Sequence, residues 1–372
     1  MSDNHETIIV EENQALWGTA RQPAGCPHCK RVFLIKESAM GGICPLCYQA
    51  PLESQPALLR PKEPELLIPF NINKKQLQSL VDQFVSGVWI KPPDFQSDNL
   101  MQRMTPIYWP MWLVDCDVDG HWQMETGFDY QVESTKEYFS GGEWRSSKQI
   151  EDRIRWEPRV GQMQSHFANI PTPALENHQT RVRQTGPYPL NQAEPFANRN
   201  LGHSVIEVPD LTPDNAWPLA QPQAAKRAAD LCAEAAGAGH GRNFALNAVY
   251  NGKNWTQLLL PMLTSYYLDE QGNPQVVIIN SESKSIFGPR LASQKRGLRI
   301  AGIIAAIAGV LLAIALFSLI LSALVPALRQ VAAFVSVLGI GVGVTAIIPA
   351  VWPWQWNRQQ GKPARMHGNL DT

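Results

Sequence analysis

The chain has 372 residues, with 32 Lys and Arg against 33 Asp and Glu and 44% hydrophobic residues. A net charge of -1 argues against a dedicated nucleic-acid binder, and six cysteines, four of them in two CxxC pairs, argue against a secreted disulfide framework. The length leaves room for one sizeable folded domain besides smaller modules.

Residues 1–20 carry Asp3, Glu6, Glu11 and Glu12 and no cation. They read as a flexible N-terminus without the apolar core of a signal peptide, so the first 290 residues are expected in the cytosol. Residues 21–50 hold Cys26-Pro-His-Cys29 and Cys44-Pro-Leu-Cys47, with fourteen residues between the pairs. Each CxxC puts two thiolates on one tight knuckle, and two knuckles joined by a short hairpin supply the four sulfurs that zinc prefers. The run Lys30–Lys36 reads as a strand and Gly41-Gly42 as the turn into the second knuckle. The expected module is a zinc ribbon in which Cys26, Cys29, Cys44 and Cys47 hold one structural Zn2+. With all four positions filled by protein, no place is left for a catalytic water, and His28 reads as a bystander. The net charge of residues 21–50 is +3 and that of residues 1–20 is -4, so no basic field accompanies the ribbon.

Residues 51–65, with prolines at 51, 56, 61 and 64, read as an extended linker. Residues 66–290 read as an α+β domain with a mainly antiparallel sheet. A helix starts at Asn73, which forms a capping-box pattern with Gln76; Leu77, Leu80, Val81 and Phe84 follow at helical spacing, and Gly87 reads as the stop. From Ile107 the pattern turns strand-like, and Asp119-Gly120 reads as the turn of a hairpin between 107–118 and 121–126. Gly141-Gly142 reads as a second turn, and residues 149–158 alternate as a further strand. Residues 171–220 read as long loop and 223–236 as an alanine-rich helix, followed by strands over 244–249, 256–268 and 275–280.

Within this domain Asp115, Asp117, Asp119 and Gly120 match the opening of a calcium loop, yet Thr126 stands where the bidentate Glu belongs. The hairpin is therefore the better reading, and three aspartates on one strand face form an acidic strip. No phosphate-binding loop motif occurs, since Gly237-Ala-Gly239-His-Gly241-Arg-Asn lacks the required Lys and Ser/Thr. Cys116 and Cys232 lack a CxxC partner and read as buried small residues. His121, His166, His178, His203 and His240 are scattered without metal or triad spacing, so the sequence names no catalytic residue. Arg153, Arg155, Arg159, Arg181 and Arg183 offer a basic face toward anionic lipid.

Residues 300–325 and 331–352 contain no charge, and about 20 apolar residues suffice to cross a bilayer. The short link Pro326–Gln330 makes them a transmembrane hairpin. Lys295, Arg296 and Arg299 precede it, Arg358, Lys362 and Arg365 follow it, and Arg329 alone lies in the turn. The positive-inside rule then expects both termini, including a tail over 353–372, in the cytoplasm of a cell whose inner membrane holds the hairpin. Trp352, Trp354 and Trp356 fit an interfacial aromatic belt, and Gly339, Gly341 and Gly343 allow close helix contact.

The two-CxxC ribbon, Ile68-Pro-Phe70, Tyr108-Trp-Pro-Met-Trp112, the run Leu260-Pro-Met-Leu-Thr-Ser-Tyr-Tyr267 and the hydrophobic hairpin together resemble a bacterial family of zinc-ribbon membrane proteins. Members are often mislabelled as the primosomal replication-restart helicase, and some accompany SPFH-type scaffold and phage-shock membrane-stress proteins. Asn280-Ser-Glu-Ser-Lys284 and the region 185–200 depart from the family pattern. The resemblance implies a membrane anchor or adaptor, and with no catalytic set to name the expected function is a non-enzymatic adaptor that meets the bilayer and membrane-associated proteins. A membrane-tethered nucleic-acid binder is the alternative the ribbon admits, and an enzyme with an unidentified site is another.

Overall fold

The computed structural model describes residues 21–57, 62–197, 200–237 and 239–368; the expected flexible stretch 1–20 and part of the linker lie outside these. In chain order the main elements are β1 (Arg21–Gly25), β2 (Val32–Lys36), β3 (Glu53–Ser54), β4 (Leu66–Leu67), α1 (Lys74–Ser86), α2 (Ser97–Gln102), β5 (Thr105–Ser140) and β6 (Glu143–Pro173). They continue with α3 (His178–Thr185), β7 (Glu194–Pro195), β8 (Val205–Glu207), α4 (Pro213–Ala235), β9 (His240–Leu268), β10 (Pro274–Asn280), β11 (Ser285–Gly288), α5 (Gln294–Leu321), α6 (Leu328–Thr345), α7 (Ile347–Gln359) and β12 (Ala364–His367). With 34% helix and 39% strand the fold is α+β, as expected. Two compact units emerge among the described residues: the first holds those within 21–109, 177–208 and 259–368, the second those within 110–176 and 209–258.

In the first unit β2 lies between β1 and β8, pairing Leu34 with Ile206, and β8 runs parallel to the start of β5. The end of β9, then β10, β11 and β12, follow one another antiparallel. The run Phe33-Leu34-Ile35 is buried on both faces of β2. Phe33 and Ile35 fill the ribbon's interior with Ala24 and Leu52, whereas Leu34 points the other way into a core with Leu67, Tyr108 and Leu259. The ribbon is thus a section of the sheet and not a module on a tether, which corrects the linker reading. Leu52 is buried and β3 pairs with β1.

Both halves of the capping box start α1: Asn73 Oδ1 accepts from Gln76 N at 2.9 Å and Gln76 Oε1 accepts from Asn73 N at 3.2 Å. Leu80, Val81, Phe84 and Val85 then bury against Phe95, Tyr267 and Ile279. Gly87 caps the helix with φ of -66°, so it is not a left-handed stop; a Cβ there would come 2.7 Å from Arg290 Nη1.

The second unit is built on β5, β6 and part of β9, with α4 packed on one face. Here the Asp119-Gly120 turn is overturned, because β5 runs straight through it and pairs Asp119 with Gln164 and Gly120 with Met163. A Cβ at Gly120 would lie 2.3 Å from Asn247 O, so this glycine serves close backbone approach. The real turn is Gly141-Gly142, with φ of 66° and 87°, as the sequence suggests. The expected strands 244–249 and 256–268 are one strand, β9.

The 171–220 loop is also overturned, since it contains α3, β8 and the start of α4. Thr212 accepts from Asn215 N and Pro213 sits at the first helical position, so α4 begins ten residues before the expected start at 223. Ala216, Ala220, Ala224, Ala228 and Cys232 recur every four residues as its buried stripe.

The two apolar helical stretches, Gln294–Leu321 and Leu328–Gln359, are long enough to cross a membrane. Only 11% of each stretch's most apolar window is buried, which a soluble core helix would not tolerate. The first ends at Leu321, short of the expected 325, and the second is divided at Ala346 and runs on to Gln359. Ala301, Ala308 and Ala315 are buried along α5, and Leu311 and Leu312 lie against Gly339. Of the residues expected as a tail, 353–359 continue the second helix and Ala364–His367 return to the first unit as β12, where Met366 pairs with Ile286 of β11.

Candidate metal centre

Each cysteine pair sits on a turn closed by backbone hydrogen bonds. In the first, Lys30 N donates to Cys26 O and Cys26 N to Arg31 O, both at 2.9 Å; in the second, Tyr48 N donates to Cys44 O at 3.0 Å and Cys44 N to Ala50 O at 2.9 Å. Lys30 and Tyr48, each directly after the second cysteine of its pair, take positive φ of 60° and 55°. The two knuckles are therefore copies of one backbone solution. Gly41, with φ of 75°, helps turn the chain from one to the other.

The four sulfurs lie within 4.8 Å of one another, with Cys26 Sγ 3.6 Å from Cys47 Sγ and Cys29 Sγ 3.7 Å from Cys44 Sγ. A zinc–sulfur bond of about 2.3 Å in a tetrahedron puts the sulfurs about 3.8 Å apart, which the two closest pairs match and the 4.8 Å spread of the set approaches. The thiols compete for protons. The hydrogen bond with Cys44 pulls Cys29 down to about 5, and the same bond with burial pushes Cys44 up. One divalent cation would remove that competition by taking all four as thiolates.

The centre is built into its unit. Tyr48 stacks on Tyr266 with centroids 4.4 Å apart and donates to Thr264 Oγ1 at 2.9 Å, and Thr264 Oγ1 donates to Pro45 O at 2.7 Å. Burial pushes the Tyr48 phenol up to about 12. On the other side, fully buried Glu207 receives Arg181 Nη2 at 2.9 and 3.0 Å and lies 3.9 Å from Arg31 Nε, next to the first knuckle.

The remaining sequence candidates separate. Asp115 accepts from Asn169 N at 2.7 Å, and Asp117 Oδ1 lies 2.7 Å from His166 Nδ1 on an extended strand, so no calcium-type loop forms. Cys116 and Cys232 are buried in one apolar cluster of the second unit, and burial raises both thiols. His240 meets Asp129, His203 meets Lys36, and buried His178 packs beside Trp109. Arg153, Arg155 and Arg159 pair with Glu151 and Glu157, whereas Arg181 is buried against Glu207, so the expected basic face does not assemble from the five arginines. Sequence reasoning missed Glu207; its signal is a single acid inside Val205-Ile-Glu-Val208.

No protein-family model matches the chain, and no curated protein or solved structure matches it either.

Proposed function

We propose that the protein is a non-enzymatic adaptor anchored in the inner membrane, with a structural zinc ion on Cys26, Cys29, Cys44 and Cys47 and both chain ends on the cytoplasmic side. The observation that carries this reading is how the apolar helix pair is fastened. Trp356 Nε1 donates to Arg290 O at 2.7 Å, Asn357 Nδ2 donates to Ala292 O and Asn357 Oδ1 accepts from Ala292 N, and β12 pairs with β11. Both near ends of the pair thus join the sheet that contains the cysteine centre. A bilayer anchor attached this rigidly would hold the ribbon at a fixed place near the membrane surface. The excess of cations at those ends favours the cytoplasmic side. The family resemblance supports partners among SPFH-type or phage-shock-type membrane proteins.

Ile43, 58% exposed on the ribbon, is the natural contact point for such a partner. The test compares proteins co-purified in mild detergent with the native chain and with Ile43→Lys, which leaves the buried β2 untouched. Loss of specific membrane-associated partners supports recruitment, and identical partner lists remove the ribbon as the recruiting surface. A C-terminal reporter active only outside the cytoplasm should stay silent.

A further inference from the structure

At the near end of the helix pair three features coincide. A Cβ added to Gly297 would lie 2.4 Å from Pro349 O and 2.7 Å from Pro353 Cγ, which sets Trp352 and Trp354 level with the cation run Lys295–Arg299 across the pair. The segment after α1 reaches into the same layer: Trp89 meets Trp352 edge-on with centroids 5.5 Å apart, and Arg296 Nη1 donates to Lys91 O at 3.1 Å. Trp89 and Trp354 remain 60% and 55% exposed, with the Arg358 guanidinium 5.6 Å from the Trp354 ring centroid.

The charge of this layer is one-sided. Between Glu282 and Asp371 the sequence has nine Lys and Arg and no acid, and among them only Arg329 lies at the far end of the pair. Glu270, the acid that reaches the start of α5, accepts from the Ser293 hydroxyl and from Lys295 N. Among the described residues no carboxylate pairs with Arg299 or Arg358.

We infer that this layer binds the headgroups of anionic phospholipids, with Trp89 and Lys91 of the folded unit joining Arg296, Arg299, Trp354 and Arg358 of the helices. The occupant follows from continuity and charge. The surface is the collar of two exposed apolar helices, exposed indoles favour the headgroup level, and unpaired guanidinium groups favour phosphate. The contribution of Trp89 and Lys91 makes the folded unit itself part of the bilayer contact. This inference rests on the membrane reading above.

The full-length protein is reconstituted into vesicles of phosphatidylcholine with and without phosphatidylglycerol and floated on a density gradient. Lipids retained after extraction from the mixed vesicles are then measured by native mass spectrometry. Flotation with both compositions and preferential retention of phosphatidylglycerol are expected, and each of Arg299→Gln and Arg358→Gln should reduce that preference by up to about fivefold. Trp89→Ala should float as before and retain less phosphatidylglycerol. Flotation with equal retention of the two lipids, or a preference unchanged by all three variants, overturns the inference and leaves the anchor standing. Failure to float with either composition overturns both.

Discussion

Glu207 is fully buried and has two arginines aimed at it, Arg181 from α3 and Arg31 from the ribbon. A buried carboxylate is tolerated only while that pairing is complete. Arg181→Met should therefore destabilise the protein by about 3–5 kcal/mol, and the Arg181→Met/Glu207→Leu double variant should recover much of the loss; denaturant unfolding of the full chain in detergent measures both. A second residue couples stability to acid. Hydrogen bonds from Arg103 hold the Asp94 carboxyl below its ordinary range, helped by Leu268 N at 2.7 Å. A carboxyl depressed on folding stabilises fully above its unfolded value near about 4, and that stability is lost as pH falls through the lower folded value. Unfolding midpoints should thus drop on acidification below about pH 4, and Asp94→Asn should lower the midpoint at neutral pH while flattening the acid limb. Neither partnership can be read from the sequence, because Arg181 and Glu207 stand 26 residues apart and Asp94 reaches a strand 174 residues away.

At the scale of elements, what was legible is what local chemistry decides. The capping box of α1, the Gly141-Gly142 turn and the apolar helices are set by neighbours a few positions apart; the first two appear where the sequence puts them, and the helices appear with shifted ends. The two cysteine knuckles belong with these, since CxxC fixes a turn within four residues. The misreadings share a different cause. Asp-Gly turns a chain in isolation, but at Gly120 the backbone of β9 occupies the space where a side chain would be and the strand goes on. Gly120→Val should consequently cost about 1–3 kcal/mol by overpacking, whereas Gly120 in a solvent-exposed turn would tolerate many residues; thermal unfolding separates the two. The start of α4 was hidden by Pro213, Pro218 and Pro222, which argue for loop until the alanine stripe they accompany is seen to be buried. In β2 the strand was legible in the run 30–36, but not its burial on both faces, which depends on partners far along the chain.

For the molecule as a whole, placing the ribbon inside the sheet changes what a metal held by its four cysteines would do. Purified protein should contain one zinc per chain by elemental analysis. Cys44→Ser should lower the unfolding temperature of the entire first unit, not of a separable finger, because β2 carries Leu34 into the same core as Tyr108 and Leu259. Loss of the Tyr48–Tyr266 stacking signal in near-ultraviolet circular dichroism would accompany it, and an unchanged unit around a lost ribbon would contradict this coupling. The pairing of β12 with β11 has a consequence for how the protein is made. The two strands are neighbours in the sheet but are separated in synthesis by both apolar helices, so a ribosome has finished β11 and translated the whole helix pair before β12 exists. Synthesis of the helices therefore precedes completion of the sheet, and until the helix pair folds back to deliver β12, β11 stands as an open edge, a ready mark for cellular proteolysis.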